Sequence, residues 1–300
     1  MNPTFLIGAG ALMLASLAFQ KRKMKPAMPT KPTPKKPGGG GGSGGGSGEP
    51  TRTSDYQGEL SGLSDDARQR SAELVALFRQ GRAVMPFAVF ETKKGPLRAR
   101  LAVSSRAATV DGVRVSISER GLQEIADALG MHLLTPYLVD QIAKTADVKL
   151  TPKPQPWYGK KDGGDGSMTL ARRIFDYDAI VSSEFGGKSG ELVTNEGKDW
   201  VLEGFAFTNA GFNKGTNYGW FQPSGKPIQG IGRVHNLDHA DYSQLIRLVS
   251  SFAQVSDDDG ATYREVSFEE LVTSPKYFPL VSYERLPGAR HPGVSSGQVV

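Results

Sequence analysis

Residues Phe5 to Phe19 read FLIGAGALMLASLAF, an uninterrupted run of apolar and small side chains, and cations follow at once at Lys21, Arg22, Lys23 and Lys25. Such a segment constrains the whole chain, because it must be placed in lipid, removed or covered. As a helix it spans about 22 Å at about 1.5 Å per residue, short of the roughly 30 Å hydrocarbon core of a bilayer. A transmembrane anchor, a cleaved leader and an interfacial or buried helix compete. No cation precedes the apolar stretch, as a leader would need, although Ser16 and Ala18 keep cleavage open. The reading adopted is a single-pass anchor over residues 1–20, with the membrane as partner through residues 5–19. The cations behind it favour a cytoplasmic payload, a rule that a protein inserted from a virus particle escapes.

Residues 21–55 read as a flexible basic linker, rich in proline from Pro26 to Pro37 and then running GGGGGSGGGSG. The chain is net +5, yet residues 1–48 hold seven cations and no acid, so the remainder is net acidic by two. The high isoelectric point therefore belongs to the tether. Attraction to anionic lipid explains it better than nucleic acid does, since no aromatic residues interleave with the cations.

From about Thr53 the composition is that of a globule, without any cysteine, which excludes disulfides, thiolate nucleophiles and cysteine-ligated metals. The pattern predicts an α+β fold of mixed helices and short-strand sheets, in two lobes at 56–152 and 153–286, with a disordered tail at 287–300. In the first lobe, a helix capped by Ser64, Asp65 and Asp66 runs to about Gln80, followed by strands at 87–91, 98–105 and 113–118. The Asp111-Gly112 turn leads into the third of these. Helices follow in GLQEIADALG and, capped by Thr135, in TPYLVDQIAKTA. His132 reads as a core histidine, and Trp157 and Tyr158 as the lip of a groove or cover for a core edge. In the second lobe a helix from Thr169 to Phe185 stops at Gly186-Gly187.

RVHNLDHADYSQLIRLVS, residues 233–250, is the densest group of chemically capable side chains. If His235 and His239 occupy one helical turn, both imidazoles share a face, where Asp238, Asp241 or a distant group completes a zinc site. The metalloprotease motif would place a glutamate where Asn236 stands. Alternatively a histidine acts as general base, oriented by Asp238 or Asp241, with Ser243 or Tyr242 as nucleophile or proton donor. The bland alternative is a polar loop before a buried Leu245–Val249 segment. The candidate catalytic set is thus His235, His239, Asp241, Tyr242 and Ser243. Lys198, Asp199, Tyr218, Trp220 and Arg247 are candidates for binding, and His235 and His239 for metal. The acidic SDDDG stretch (256–260) reads as a solvated turn rather than a calcium loop.

The blocks GKDWVLEGF, YGWF, GKPIQ and DYSQLIRLVS, in this order, resemble those of an uncharacterised bacterial and phage protein family. Its members carry histidines before Lys-Asp, after Tyr-Gly-Trp and after Asp-Tyr-Ser, where this chain has Gly197, Phe221 and Gln244. YSQLIRLVS is also similar to the Ser-His-Gly-Cys-(Ile/Val)-Arg signature of L,D-transpeptidases, matching at Ser243, Ile246 and Arg247 but lacking the histidine and the cysteine. The anchor and linker, taken together with these resemblances, imply a tethered, phage-associated envelope protein that acts on or binds peptidoglycan peptides. The alternatives are a non-catalytic virion or envelope protein binding through Tyr218, Trp220 and Phe221, and a zinc-dependent hydrolase.

Overall fold

The computed structural model describes residues 59–155, 168, 170–186, 188 and 190–296. The anchor and linker, and Trp157 with Tyr158, lie outside them. Among the described residues no helix is long and apolar enough to cross a membrane. The fold is α+β, with five α-helices and short-strand sheets among these residues.

Local chemistry sets most of the element ends. Helix α1 (Ala67–Arg79) begins where the Asp66 carboxylate accepts the Gln69 N–H at 2.8 Å, two residues beyond Ser64. Strands β1 (Ala83–Val84), β2 (Phe87–Lys94) and β3 (Leu97–Ser104) follow, then β4 (Thr109–Val110) and β5 (Val113–Arg114). Asp111 and Gly112, both at positive φ, turn β4 into β5, as a tight hairpin requires. Ser118 caps α2 (Glu119–Leu129), and left-handed Gly130 ends it. After β6 (Met131–Leu133), Thr135 caps α3 (Pro136–Thr145), with proline in its first turn. Next come β7 (Val148–Lys149), α4 (Arg172–Phe185) and β8 (Val193–Thr194). The site-bearing strands are β9 (Lys198–Trp200), β10 (Asn217–Gly219) and β11 (Gln244–Leu245). The chain closes with β12 (Leu248–Ser256), β13 (Arg264–Ser267) and α5 (Phe268–Thr273), the last capped by Ser267.

Two sheets matter for the site. The larger runs β13-β12-β3-β2, with β6 also on β12. Because β3 and β12 pair antiparallel, the two expected lobes share one sheet, and the described residues from Gly62 onward form a single compact unit. The smaller sheet runs β10-β9-β11, antiparallel on one side of β9 and parallel on the other. Only Ile246 and Arg247 separate β11 from β12, and the Arg247 guanidinium donates to the Ser104 carbonyl of β3 at 2.9 Å, tying the sheets together.

Residues 287–296 correct the expectation of a disordered tail. Ala289 and Val294 are buried and His291 is 0% exposed. Its Nδ1 accepts the Gly293 N–H, and its Nε2 lies 3.1 Å from the Lys214 carbonyl, which fixes the Nε2–H tautomer. Low hydrophobicity suggested disorder, but three polar anchors, including the Arg290 pair with Asp127 at 2.7 Å, hold the segment. His132 is half-buried and has the satisfied ring nitrogen expected of a structural histidine, with Nδ1 3.0 Å from the Ala289 carbonyl. In the SDDDG turn the three carboxylates are all spent on protein donors: Asp258 accepts Ser256 and Thr262, Asp257 pairs with Lys276, and Asp259 pairs with Arg98.

Candidate metal centre

Segment 232–243 reaches the small sheet as an irregular loop, not as a helix. Backbone bonds stitch it to the neighbouring strand entry: Gly215 N–H donates to the His235 carbonyl at 3.0 Å, and Asn217 exchanges two bonds with Gly232. Side chains fix the other end. Arg70 of α1 donates to the Ala240 carbonyl at 3.1 Å, and Arg120 of α2 pairs with Asp238 at 2.7 Å. Asp238 is therefore committed to Arg120, while Asp241 stays with the histidines.

The loop brings His235, His239 and Asp241 together, each offering one ligand atom within 4.8 Å of the others. A helical turn was the expected route to this proximity, and a folded loop supplies it instead. The imidazoles stack with centroids 3.8 Å apart and planes 7° from parallel. His239 Nε2 is buried without a hydrogen-bond partner among the described residues. It faces Asp241 Oδ2 at 3.9 Å, too far for a hydrogen bond. The other carboxylate oxygen, Oδ1, accepts both the Ser243 N–H at 2.8 Å and the Ser243 hydroxyl at 2.5 Å. One oxygen is thus held from behind while the other stays open.

Electrostatics put two of these groups in the state that metal binding needs. Burial pushes the Asp241 carboxyl up, but His239, Lys198 and the Ser243 donors outweigh it and hold the pKa at about 2. Burial, aided by the adjacent His239 ring and by Lys198 and Lys214, lowers His235 to about 4. At neutral pH His235 therefore presents a free lone pair and Asp241 a charge. An ion bound by an imidazole lies close to the ring plane, so two parallel rings 3.8 Å apart cannot share one until a ring turns. Binding has to unstack the pair.

The remaining candidates fall into place around this centre. Ser243 is 1% exposed and spends its hydroxyl on Asp241, which gives it an orienting position. Tyr242 is packed in a core cluster with Tyr177 and Trp220, and its hydroxyl oxygen accepts the Gln155 N–H at 2.6 Å. Tyr218, Trp220 and Phe221 are all buried, which corrects the expectation of an aromatic binding surface. Trp220, at φ 59, packs in a core cluster instead, and Tyr218 donates to Asp140 at 2.8 Å.

Lys198 is buried beside the centre, its ammonium 5.1 Å from the Trp220 ring centroid. Asp199, on the opposite face of β9, lies 3.7 Å from Arg247. Burial raises its pKa to about 6 against the pull of Arg247. Two polar residues escaped the sequence reading, Asn217 and Gln244. Both are buried with side-chain atoms that lack hydrogen-bond partners among the described residues. Gln244 was noticed only where a histidine stands in the similar signatures; a glutamine amid LIRLV was the available signal. No protein-family model, no curated protein and no solved structure matches the chain.

Proposed function

We propose that this chain is a zinc-dependent hydrolase of peptidoglycan peptides, carried on a membrane tether, with His235, His239 and Asp241 as the metal ligands. The observation that carries the reading is the convergence of three ligand atoms around a buried, unpartnered His239 Nε2. Three protein ligands leave a fourth position open, the pattern of catalytic rather than structural zinc. Bound zinc would supply a Lewis acid and an activated water at neutral pH. The Ser243 hydroxyl, donating to Asp241 Oδ1, holds that carboxylate in orientation, as ligating carboxylates require. The wall as target rests on the tether composition and the sequence resemblances.

The test uses the full chain in detergent, stripped of metal and titrated with zinc, then incubated with purified peptidoglycan. The expected result is one zinc per chain, absent in the His235→Ala, His239→Ala double variant, with new muropeptides by mass spectrometry only when zinc is present. A wild-type chain that binds no zinc overturns the assignment.

A further inference from the structure

The face of the small sheet that carries Lys198 holds more buried polar atoms than the protein partners. Trp200 pairs with Asn217 across β9 and β10, and Lys198 pairs with Gln244 across β9 and β11. Cross-strand partners share a face, as do residues two apart on one strand. Lys198, Asn217 and Gln244 therefore lie on one face. Asn217 is 1% exposed and Gln244 0%. Neither amide atom of Asn217 has a hydrogen-bond partner among the described residues, nor does Gln244 Nε2, although Gln244 Oε1 accepts the Asp241 N–H at 2.6 Å. Lys198 makes a cation–π contact and no ion pair within 4.0 Å among the described residues. Buried polar groups in folded proteins are nearly always satisfied, so a set of open donors on one face points to a ligand.

The donors also define its chemistry. An ammonium and two carboxamide NH₂ groups complement an anion with several acceptor oxygens. Lys198 and Asp241 cancel in formal charge, so a divalent ion at the centre would leave an excess of two positive charges to attract that anion.

We propose that Lys198, Gln244 and Asn217 form a carboxylate subsite beside His235, His239 and Asp241, so that the substrate is a peptide ending in a free α-carboxylate. The inference rests on the zinc reading above for its reaction. The final peptide C–N bond breaks, the water oxygen joins the acyl carbon, and both water protons end on the departing amine, giving a carboxylate and an ammonium. Lys198 acts as a binding group for the end of the chain.

The experiment compares N-acetyl-alanyl-alanine with its C-terminal amide by calorimetry on the full chain, with and without zinc. The expected result is at least tenfold tighter binding of the free carboxylate. Lys198→Met brings the ratio to about one while zinc stays at one per chain. Asn217→Asp, an isosteric change that places a negative charge in the subsite, also lowers the ratio, and carries the test if Lys198→Met fails to fold by circular dichroism. A wild type without preference, or a folded Lys198→Met that keeps the full preference, overturns the subsite. Carboxylate preference in a chain that binds no zinc supports the subsite and removes the zinc reading. Zinc binding without preference does the reverse.

Discussion

Two buried polar regions lie on neighbouring parts of this molecule and are finished differently. Around Arg114, the Glu196 carboxylate accepts the guanidinium at 2.8 Å and the Ala107 N–H at 2.7 Å. Asp178 accepts the Arg114 backbone at 3.1 Å and its guanidinium at 2.9 Å, and Ser182 takes a further bond. On the face that carries Lys198, by contrast, Asn217 and Gln244 leave atoms without partners among the described residues, as does His239 in the neighbouring loop. An unsatisfied buried group costs about 1–3 kcal/mol. A closed network has the form of architecture, and an open one at comparable burial has the form of a site. Burial alone does not tell them apart; the count of partners does.

The largest expected effect tests the closed side. Arg114→Met leaves two buried carboxylates uncompensated and should destabilise the chain by about 3–5 kcal/mol, measured by urea denaturation, with zinc stoichiometry unchanged in the folded fraction. A loss below about 1 kcal/mol would dissolve the contrast.

The open side predicts the converse. Zinc at a hundredfold excess over its dissociation constant should stabilise the wild type by about 2.7 kcal/mol. In His239→Ala that gain should vanish, while metal-free stability changes by less than about 1 kcal/mol because Nε2 forms no bond to lose. Paired denaturation curves, with zinc and with chelator, read both quantities. A variant that loses several kcal/mol without metal would make His239 architecture instead.

A third prediction concerns Asp199, which stands between the two regions in character, paired with Arg247 yet held up at about 6 from an ordinary 3.8. The folded chain retains a proton that the unfolded chain releases between about pH 4 and 6. Stability from this group is therefore present below pH 4 and lost as pH rises through 6, by about 3 kcal/mol for the net shift that burial and the Arg247 attraction leave. Metal-free wild type and Asp199→Asn share the opposite slope that His235, held at about 4, contributes over the same range, so the Asp199 contribution is read as the difference between their stability changes from pH 4 to pH 7. Asp241, held at about 2, titrates below this window and does not obscure it.

The sequence disclosed what depends on neighbours a few residues away. Asp66 and Thr135 cap helices where the sequence placed caps, and Asp111-Gly112 turns as its residue types demand. Pairing β3 with β12 joins residues some 150 positions apart, and no local pattern announces it. At the site, His235, His239 and Asp241 were visible because all three are chemically marked residues within one short stretch. Their loop route was not, since a four-residue spacing suits a helix equally well. Asn217 was invisible for a deeper reason: an asparagine becomes informative only when it is known to be buried and unpartnered, and both facts are tertiary. Tyr218, Trp220 and Phe221 misled in the opposite sense, because aromatic residues among polar ones fit a recognition surface and a core edge alike.

Ser243 gives the finest test, because its sequence context suggested a nucleophile and its geometry an orienting group. Its hydroxyl is committed to Asp241 at 2.5 Å and is almost wholly buried. As an orienting group, Ser243→Ala should weaken zinc about tenfold, about 1.4 kcal/mol, the lower end of what hydrogen-bond partners of a metal ligand contribute. Turnover of wall peptides at saturating zinc should survive. As a nucleophile it would behave the other way, with zinc affinity intact and turnover abolished. Zinc titration and saturated turnover of one variant therefore separate the roles. The direct Oγ–Oδ1 bond is the reason to expect the first outcome, since a hydroxyl already donating to a carboxylate has no histidine to take its proton.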